Sequence, residues 1–262
     1  MFEPVRRWLG GGLPGLEQLN AAAAQGGLRV ASGEPLRFVA PLGDDENYEL
    51  RAFRSGCVAS RPGNLHDVFN ALAWLAFPKT KARLNALHAE QIPLEDGRRG
   101  RLRDLLTIFD EGGAIVVCED PELISLLRGF RWRELFWQRR ERVLASMRIL
   151  VLGHAVLEQA LEPWPGITCK ALFVSGGDAD SQAAEWLARL PDTATPQVLA
   201  PLPIFGYPGW LPGNDSEAFY CDERYFRPFR RDKIDAGVGQ AAAARNSARA
   251  EESPGSRERD AG

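Results

Sequence analysis

The sequence has few of the residues that usually build a metal or redox site from neighbouring positions. It contains four cysteines, spaced about fifty residues apart and without a CxxC pair, which excludes the common zinc-finger, iron–sulfur and thioredoxin patterns. A disulfide framework is not expected in a domain of this size either. Only three histidines are present, so a site that uses imidazole has few candidates.

Long apolar runs are also missing. The longest apolar stretches fall well short of the about 20 residues that a membrane-spanning helix requires. The first residues contain no continuous hydrophobic segment of the kind found in a signal peptide. We therefore expect a cytoplasmic protein with no membrane partner.

The composition is that of an ordinary globular protein. The 262 residues are 45% hydrophobic and 26% charged, with a formal net charge of −3 at pH 7. This balance excludes disorder of the whole chain, and it excludes a basic field that would attract nucleic acid to the entire surface. Arginine supplies nearly all of the positive charge, because only four of the basic residues are lysine.

Hydrophobic periodicity predicts a helix-dominated α+β fold in a single domain over residues 1–233. Apolar residues recur at helical spacing on both sides of Pro78, which predicts an antiparallel helical hairpin over residues 64–91. Residues 234–262 consist mainly of Ala, Gly, Ser, Arg and Glu, so a disordered C-terminal tail is expected there. The few short strands include those expected over 36–40, 114–118 and 167–175.

Three further local predictions concern segments near candidate site residues. Residues 48–53 have the pattern of an extended segment. Residues 110–113 have the composition of a turn between a helix and a strand. Residues 132–161 are expected to contain one or two helices, interrupted near Gly153.

Two histidines are placed symmetrically about the bend of the predicted hairpin. His66 and His88 lie eleven residues before and after Phe77, so each would stand about 16 Å from the bend. Asn70 and Asn85 are nearly equidistant from it as well. The spacing predicts a paired His/Asn arrangement facing one cleft. Such a cluster either forms part of a metal or acid–base site or only fixes the register of the hairpin.

His66 and Asp67 occupy the start of the first helix of this pair. If Asn64 is the N-cap, the positive end of the helix disfavours an imidazolium at His66 and leaves the neutral ring that a metal requires. Asp67 is placed either to bond back to the cap or to add a ligand beside His66. The doublet is similar to that of a class of metal-dependent phosphohydrolases, whose pattern also needs an earlier histidine that this sequence lacks.

Acidic residues elsewhere complete the candidate set. Asp110 and Glu111 follow a predicted helix, where carboxylates oppose the helix dipole and call for a nearby cation. His154 and Glu158 are four residues apart, so on a helix they share one face. There they either bind a metal together, or the carboxylate orients the ring, or they form an ordinary hydrogen bond.

A second constellation, which we call the arginine segment, covers residues 128–148. Its seven arginines are interleaved with Phe130, Trp132, Phe136 and Trp137. Guanidinium groups beside aromatic planes suit phosphates and stacked bases, which predicts binding of RNA, an anionic ligand or a protein partner. The competing interpretation is an amphipathic helix with core aromatics and with arginines that face water or pair with distant acids.

The longest informative stretch of the sequence covers residues 64–81 and continues through 84–88. Together with residues 105–111 and 153–155, it resembles a bacterial family catalogued as domain of unknown function 3025, over about residues 30–230. The resemblance implies that the His, Asn and Asp positions above belong to characteristic segments of that family. It implies no activity, substrate or metal.

These observations favour a metal-assisted hydrolase that acts on a small-molecule substrate, with zinc or manganese as the cofactor. The alternative is a non-enzymatic binding protein that uses the arginine segment for RNA, an anionic ligand or a protein partner. The predicted catalytic residues are Asp110, Glu111, Asn70 and Asn85, and the predicted metal ligands are His66, His88, His154, Asp67 and Glu158.

Overall fold

The computed structural model describes residues 1–41, 43, 46–96 and 98–228. Met1–Arg227 forms one compact unit. The tail predicted to be disordered, residues 234–262, lies outside the described residues. Within the described part of the chain, no helix combines the length and the apolar character needed to cross a bilayer.

The domain is helix-dominated, with short strands in two small sheets, as the sequence predicts. The helices are α1 (Leu16–Gln25), α2 (Tyr48–Ser55), α3 (Leu65–Ala76), α4 (Pro78–Gln91), α5 (Arg101–Gly112), α6 (Pro121–Arg128), α7 (Arg140–Ser146), α8 (His154–Gln159) and α9 (Ala179–Ala188). The strands are β1 (Arg37–Val39), β2 (Cys57–Ala59), β3 (Gly113–Cys118), β4 (Met147–Val151), β5 (Thr168–Val174) and β6 (Ala200–Pro203).

The larger sheet has four strands in the order β4-β3-β5-β6, and β3 is its buried centre. β3 pairs in parallel with β5 and antiparallel with β4, while β6 pairs antiparallel with β5. Ala114 and Val116 pack into one apolar cluster, whereas Ile115 and Val117 pack into another. Because alternate residues of a strand point to opposite faces, both faces of this sheet are covered. The smaller sheet is the parallel pair β1–β2.

The helical pair predicted over residues 64–91 is present as α3 and α4, with only Phe77 between them. Asn64 is the N-cap of α3, and its Oδ1 accepts from the backbone N of Asp67 at 3.0 Å. Pro78 occupies the first position of α4, where its missing N–H has no intrahelical partner to lose. The first turn of α3 is therefore fixed by local capping.

Residues 48–53 are helical, so the predicted extended segment is wrong. Asn47 caps α2 by accepting from the backbone N of Glu49 at 2.9 Å. Gly56 ends the helix with a left-handed φ of 69°, which a glycine adopts without strain. Capping at both ends outweighs the weak strand pattern between them.

A second local prediction is wrong, and a third is incomplete, because the helices expected over 132–161 are present but a strand there was not predicted. α5 continues through Asp110 and Glu111, and β3 begins directly at Gly113, so residues 110–113 are not a connecting turn. The stretch 132–161 contains β4 in addition to helices. Met147, Ile149 and Val151 are buried in alternation along β4, but a period of two over five residues is too short to stand out beside flanking helices.

Candidate metal site

Three side chains from three helices converge at one point. His66 lies in the first turn of α3, Glu111 in the last turn of α5, and His154 at the first position of α8. Nε2 of His66 is 3.1 Å from Nε2 of His154. Oε2 of Glu111 is 3.8 Å from the former nitrogen and 3.4 Å from the latter. We call these three residues the His–Glu–His triad.

The spacing of the triad fits a metal ion. A point equidistant from the three ligand atoms lies about 2.0 Å from each of them, which is the length of a zinc–imidazole or zinc–carboxylate bond. Three protein ligands also leave a coordination position open, as in catalytic zinc sites. The group could therefore hold a metal ion.

Gly153 places His154 beside Glu111. A Cβ at position 153 would come within 2.7 Å of backbone atoms of Glu111, Gly112 and Gly113. The backbone N of Gly153 also donates to the carbonyl of Gly113 at 2.8 Å. The start of α8 can lie this close to the junction of α5 and β3 because residue 153 has no side chain.

Glu158 holds the ring of His66. Its Oε2 lies 3.0 Å from Nδ1 of His66, so that nitrogen carries the proton and donates. The lone pair of His66 is then on Nε2, which faces the rest of the triad. A carboxylate behind a histidine is the usual second layer of a metal site. The sequence predicted Glu158 beside His154, whereas the structure places it against His66.

Behind the triad lies a buried polar chain centred on Lys81, which is 3% exposed. Its Nζ donates to Oδ1 of Asp110, and to Oδ1 of Asn70 at 2.8 Å. Oδ2 of Asp110 lies 3.8 Å from Nδ1 of His154. Lys81 is thus the cation that carboxylates at the end of α5 require. The chain extends to Tyr48, whose hydroxyl accepts from Asn70 at 2.9 Å.

These surroundings shift the pKa values of the site. Burial lowers the pKa of His154 to about 4, so its ring is neutral at pH 7, as a metal ligand must be. Burial also raises the pKa of Glu111. For Asp110, burial is the largest single influence and acts upward, but Lys81, His154 and His88 together hold the pKa below its usual value.

The triad opens into a cavity of about 390 Å³. The side chains of His66 and Glu111 are 37% and 42% exposed, so an ion or substrate can reach them from solvent. His88, Arg103 and other polar side chains line the same cavity. The expectation that His66 and His88 face one cleft therefore holds, but the imidazole next to His66 is that of His154.

The other predicted site residues lie outside the triad. His88 is buried, and its Nδ1 accepts from Nε of Arg103 at 3.3 Å. Asp67 is held by Arg61, which donates to it from Nε at 2.7 Å and from its backbone N at 2.8 Å. Asn85 does not pair with Asn70; its Nδ2 donates to the carbonyl oxygen and carboxylate of Glu49.

Glu49 is one of several polar residues of the cavity, Arg99 and Arg103 among them, that the sequence patterns did not single out. Burial, reinforced by the negative charge of Asp110, raises the pKa of Glu49 to about 7. Its Oε2 accepts from Nδ2 of Asn85 at 2.7 Å. The signal that could have found it is Asn47, since a helix cap there puts Glu49 in a first turn.

The arginine segment contains a short π-helical stretch, Glu134–Gln138, followed by α7 and the start of β4. Trp132 and Phe136 are buried and stacked. Most of its arginines bond acids or carbonyls of the same chain: Arg131 with Glu134, Arg133 with Glu217, Arg139 with Glu122, Arg140 with the carbonyl of Asn214, and Arg142 with Asp120 and Glu122. A role in binding RNA or a partner stays a prediction.

The fold and the triad together define a helix-dominated α/β domain with a cavity whose His–Glu–His group could hold a metal ion. The chain belongs to the family described as protein of unknown function (DUF3025), whose model matches residues 36–230. All three triad residues fall inside that match. No curated protein and no solved structure is significantly similar to the chain.

Proposed function

We propose that the protein is a metal-dependent hydrolase in which His66, Glu111 and His154 bind a divalent transition metal. The observation that carries the proposal is the spacing of their three ligand atoms, 3.1, 3.4 and 3.8 Å apart, at a solvent-accessible cavity. Two imidazoles and one carboxylate favour zinc, whereas manganese prefers more oxygen ligands. Zinc is therefore the better fit.

An ion at this position would supply Lewis-acid chemistry and lower the pKa of a coordinated water to about 7. The protein supplies orientation. Glu158 fixes the ring of His66, and the Lys81–Asp110 pair lies behind His154. Rotation of the His66 ring would break its bond to Glu158, and the His154 ring, which is 3% exposed, is held by the side chains packed around it.

We assign proton transfer to Glu49. Glu49 lines the same cavity, and a pKa of about 7 suits a group that must both accept and donate a proton at neutral pH. The cavity volume of about 390 Å³ lies within the range of small-molecule sites, which supports a small-molecule substrate.

The test is to measure bound metal and hydrolysis on the same preparations. We expect the full chain to bind one zinc per molecule, by elemental analysis after dialysis, and to hydrolyse at least one member of a nitrophenyl ester and phosphate ester panel. His154→Ala should lose both properties. His88→Gln is the matched control, because it removes an imidazole outside the triad and should keep the zinc.

The proposal fails if the wild-type chain binds neither zinc nor manganese at a one-to-one ratio. It also fails if His88→Gln and His154→Ala lose the metal to the same extent. Circular dichroism of each variant separates a lost ligand from a lost fold.

A further inference from the structure

We infer that the part of the cavity around Arg99 and Arg103 binds an anionic group of the substrate, a phosphate or a carboxylate. The inference rests on the proposed function, because it concerns the substrate of the same cavity. It starts from α5. Arg103, Thr107 and Asp110 lie at helical spacings of four and three along this helix, and all three line the cavity.

Distance along α5 separates this region from the triad. Arg103 precedes Glu111 by eight residues, which corresponds to about 12 Å along the helix axis. A substrate that reaches both places therefore carries its anionic group well away from the bond that is cleaved.

Arg103 organises the hydrogen-bond donors of this region. Its Nη1 pairs with Glu95, and its Nε donates to Nδ1 of His88. Because Nδ1 of His88 accepts, the neutral ring carries its proton on Nε2 and is a donor there. Burial lowers the pKa of His88 to about 4, so this neutral form holds at pH 7. Among the described residues, Nη2 of Arg103 has no hydrogen-bond acceptor.

Arg99 adds the charge. It is exposed and lines the cavity, and in the described part of the chain no carboxylate oxygen lies within 4.0 Å of its guanidinium. Arg61, which lines the cavity as well, is already bonded by Asp67. Two described acids near this region already have partners: Glu95 is paired with Arg103, and Glu49 is bonded by Asn85. A planar guanidinium binds phosphate and carboxylate through two parallel hydrogen bonds.

The experiment is calorimetric titration of the full chain with phenylphosphonate and with benzoate, which differ only in the anionic group. Titrations are run on zinc-free protein, so that the probe cannot bind through an ion, and repeated with one equivalent of zinc. Arg99→Ala is compared with Arg98→Ala, which removes the same charge from the neighbouring, exposed position outside the cavity wall.

We expect at least one probe to bind, and Arg99→Ala to raise its Kd by about tenfold or more, the effect of losing a charged hydrogen bond. Arg98→Ala should change the Kd by less than about twofold, and Arg99→Lys should recover part of the loss. The tighter of the two probes identifies the anionic group. The inference is overturned if neither probe binds at about 10 mM, or if the two alanine variants weaken binding equally.

The zinc content of the same variants separates the two proposals. If zinc binds but no probe depends on Arg99, only this inference fails. If a probe depends on Arg99 but zinc does not bind, the anion site survives and the hydrolase proposal fails.

Discussion

The His–Glu–His triad and the arginine segment are both dense in polar groups, but they differ in what those groups contact. In the triad, three ligand atoms face one another. The side chains that carry them are held by contacts on the opposite side, as Glu158 holds the ring of His66 through Nδ1. In the arginine segment, guanidinium groups such as that of Arg139 are bonded by acids of the same chain. A polar cluster indicates a ligand site where its functional atoms are not already used to stabilise the fold.

Burial separates the two regions as well. Lys81 and His154 are 3% exposed, so the charge of Lys81 and the polar contacts of both side chains act where water screens little. The Arg133 and Glu217 side chains are 54% and 44% exposed, and such pairs contribute little to stability. The comparison predicts large effects of substitution in the first region and small ones in the second.

The largest effect is expected for Lys81→Met. This change leaves the carboxylate of Asp110 partly buried without its cation, which typically costs about 3 to 5 kcal/mol of unfolding free energy. Urea unfolding measures it. Lys81→Met combined with Asp110→Asn should recover part of the loss, because no unpaired charge remains. If Lys81→Met alone lowers the unfolding free energy by less than about 1 kcal/mol, the Lys81–Asp110 pair contributes little to stability.

Glu49→Gln should change the pH dependence of stability. The pKa of Glu49 is about 7 in the folded chain, compared with 4.5 when unperturbed. The folded state therefore loses stability as the pH rises from 4.5 through 7, because the unfolded chain ionises first. We expect Glu49→Gln to be more stable than wild type by about 3 kcal/mol at pH 8, and equally stable at pH 4. If the difference in unfolding free energy between Glu49→Gln and wild type is the same at both pH values, the prediction is contradicted.

Glu158→Gln tests the layer behind the triad. The amide can still accept a hydrogen bond from His66, but it lacks the charge that increases the basicity of the ring. We expect zinc affinity to fall by about tenfold, as measured by competition with a chromogenic chelator. Glu162→Gln, at an exposed position in the turn after α8, is the control. An unchanged zinc affinity would mean that Glu158 only packs against the ring.

The smallest effect is expected in the arginine segment. Arg133→Ala removes an exposed pair with Glu217 and should lower the unfolding free energy by less than about 1 kcal/mol, without changing zinc binding. Binding of single-stranded RNA measures the alternative function. Salt-dependent binding that is lost in Arg139→Ala combined with Arg140→Ala would show that the arginine segment also binds a ligand, which contradicts the distinction drawn between the two regions.

Much of the fold can be predicted from the sequence, because long apolar periodicity specifies helices such as α3 and buried runs specify β3. The local errors arise where a cap or a partner strand decides. Asn47 makes 48–55 helical against a strand-like pattern, and β4 exists because β3 offers it an edge. The hydrophobic periodicity of one sequence shows neither the effect of a helix cap nor the presence of a partner strand clearly.

The candidate site could be predicted as a set of residues but not as a geometry. His66, Glu111 and His154 were all in the predicted set. Their convergence depends on how three helices pack, and the sequence spacing favoured His88 as the neighbour of His66 instead. The close approach that brings His154 in follows from Gly153, whose role is visible only when the backbone of Glu111 lies against it.

The triad residues are separated by more than forty positions in the chain, so their ligand atoms meet only after the helices around the central sheet have assembled. An ion held there would act as a reversible cross-link that closes two long loops of the unfolded polypeptide. Occupancy and folding are then thermodynamically linked: at a free ion concentration 100 times the dissociation constant, the native state gains about 2.7 kcal/mol. Supply of the metal would thereby change the free energy of unfolding of the chain.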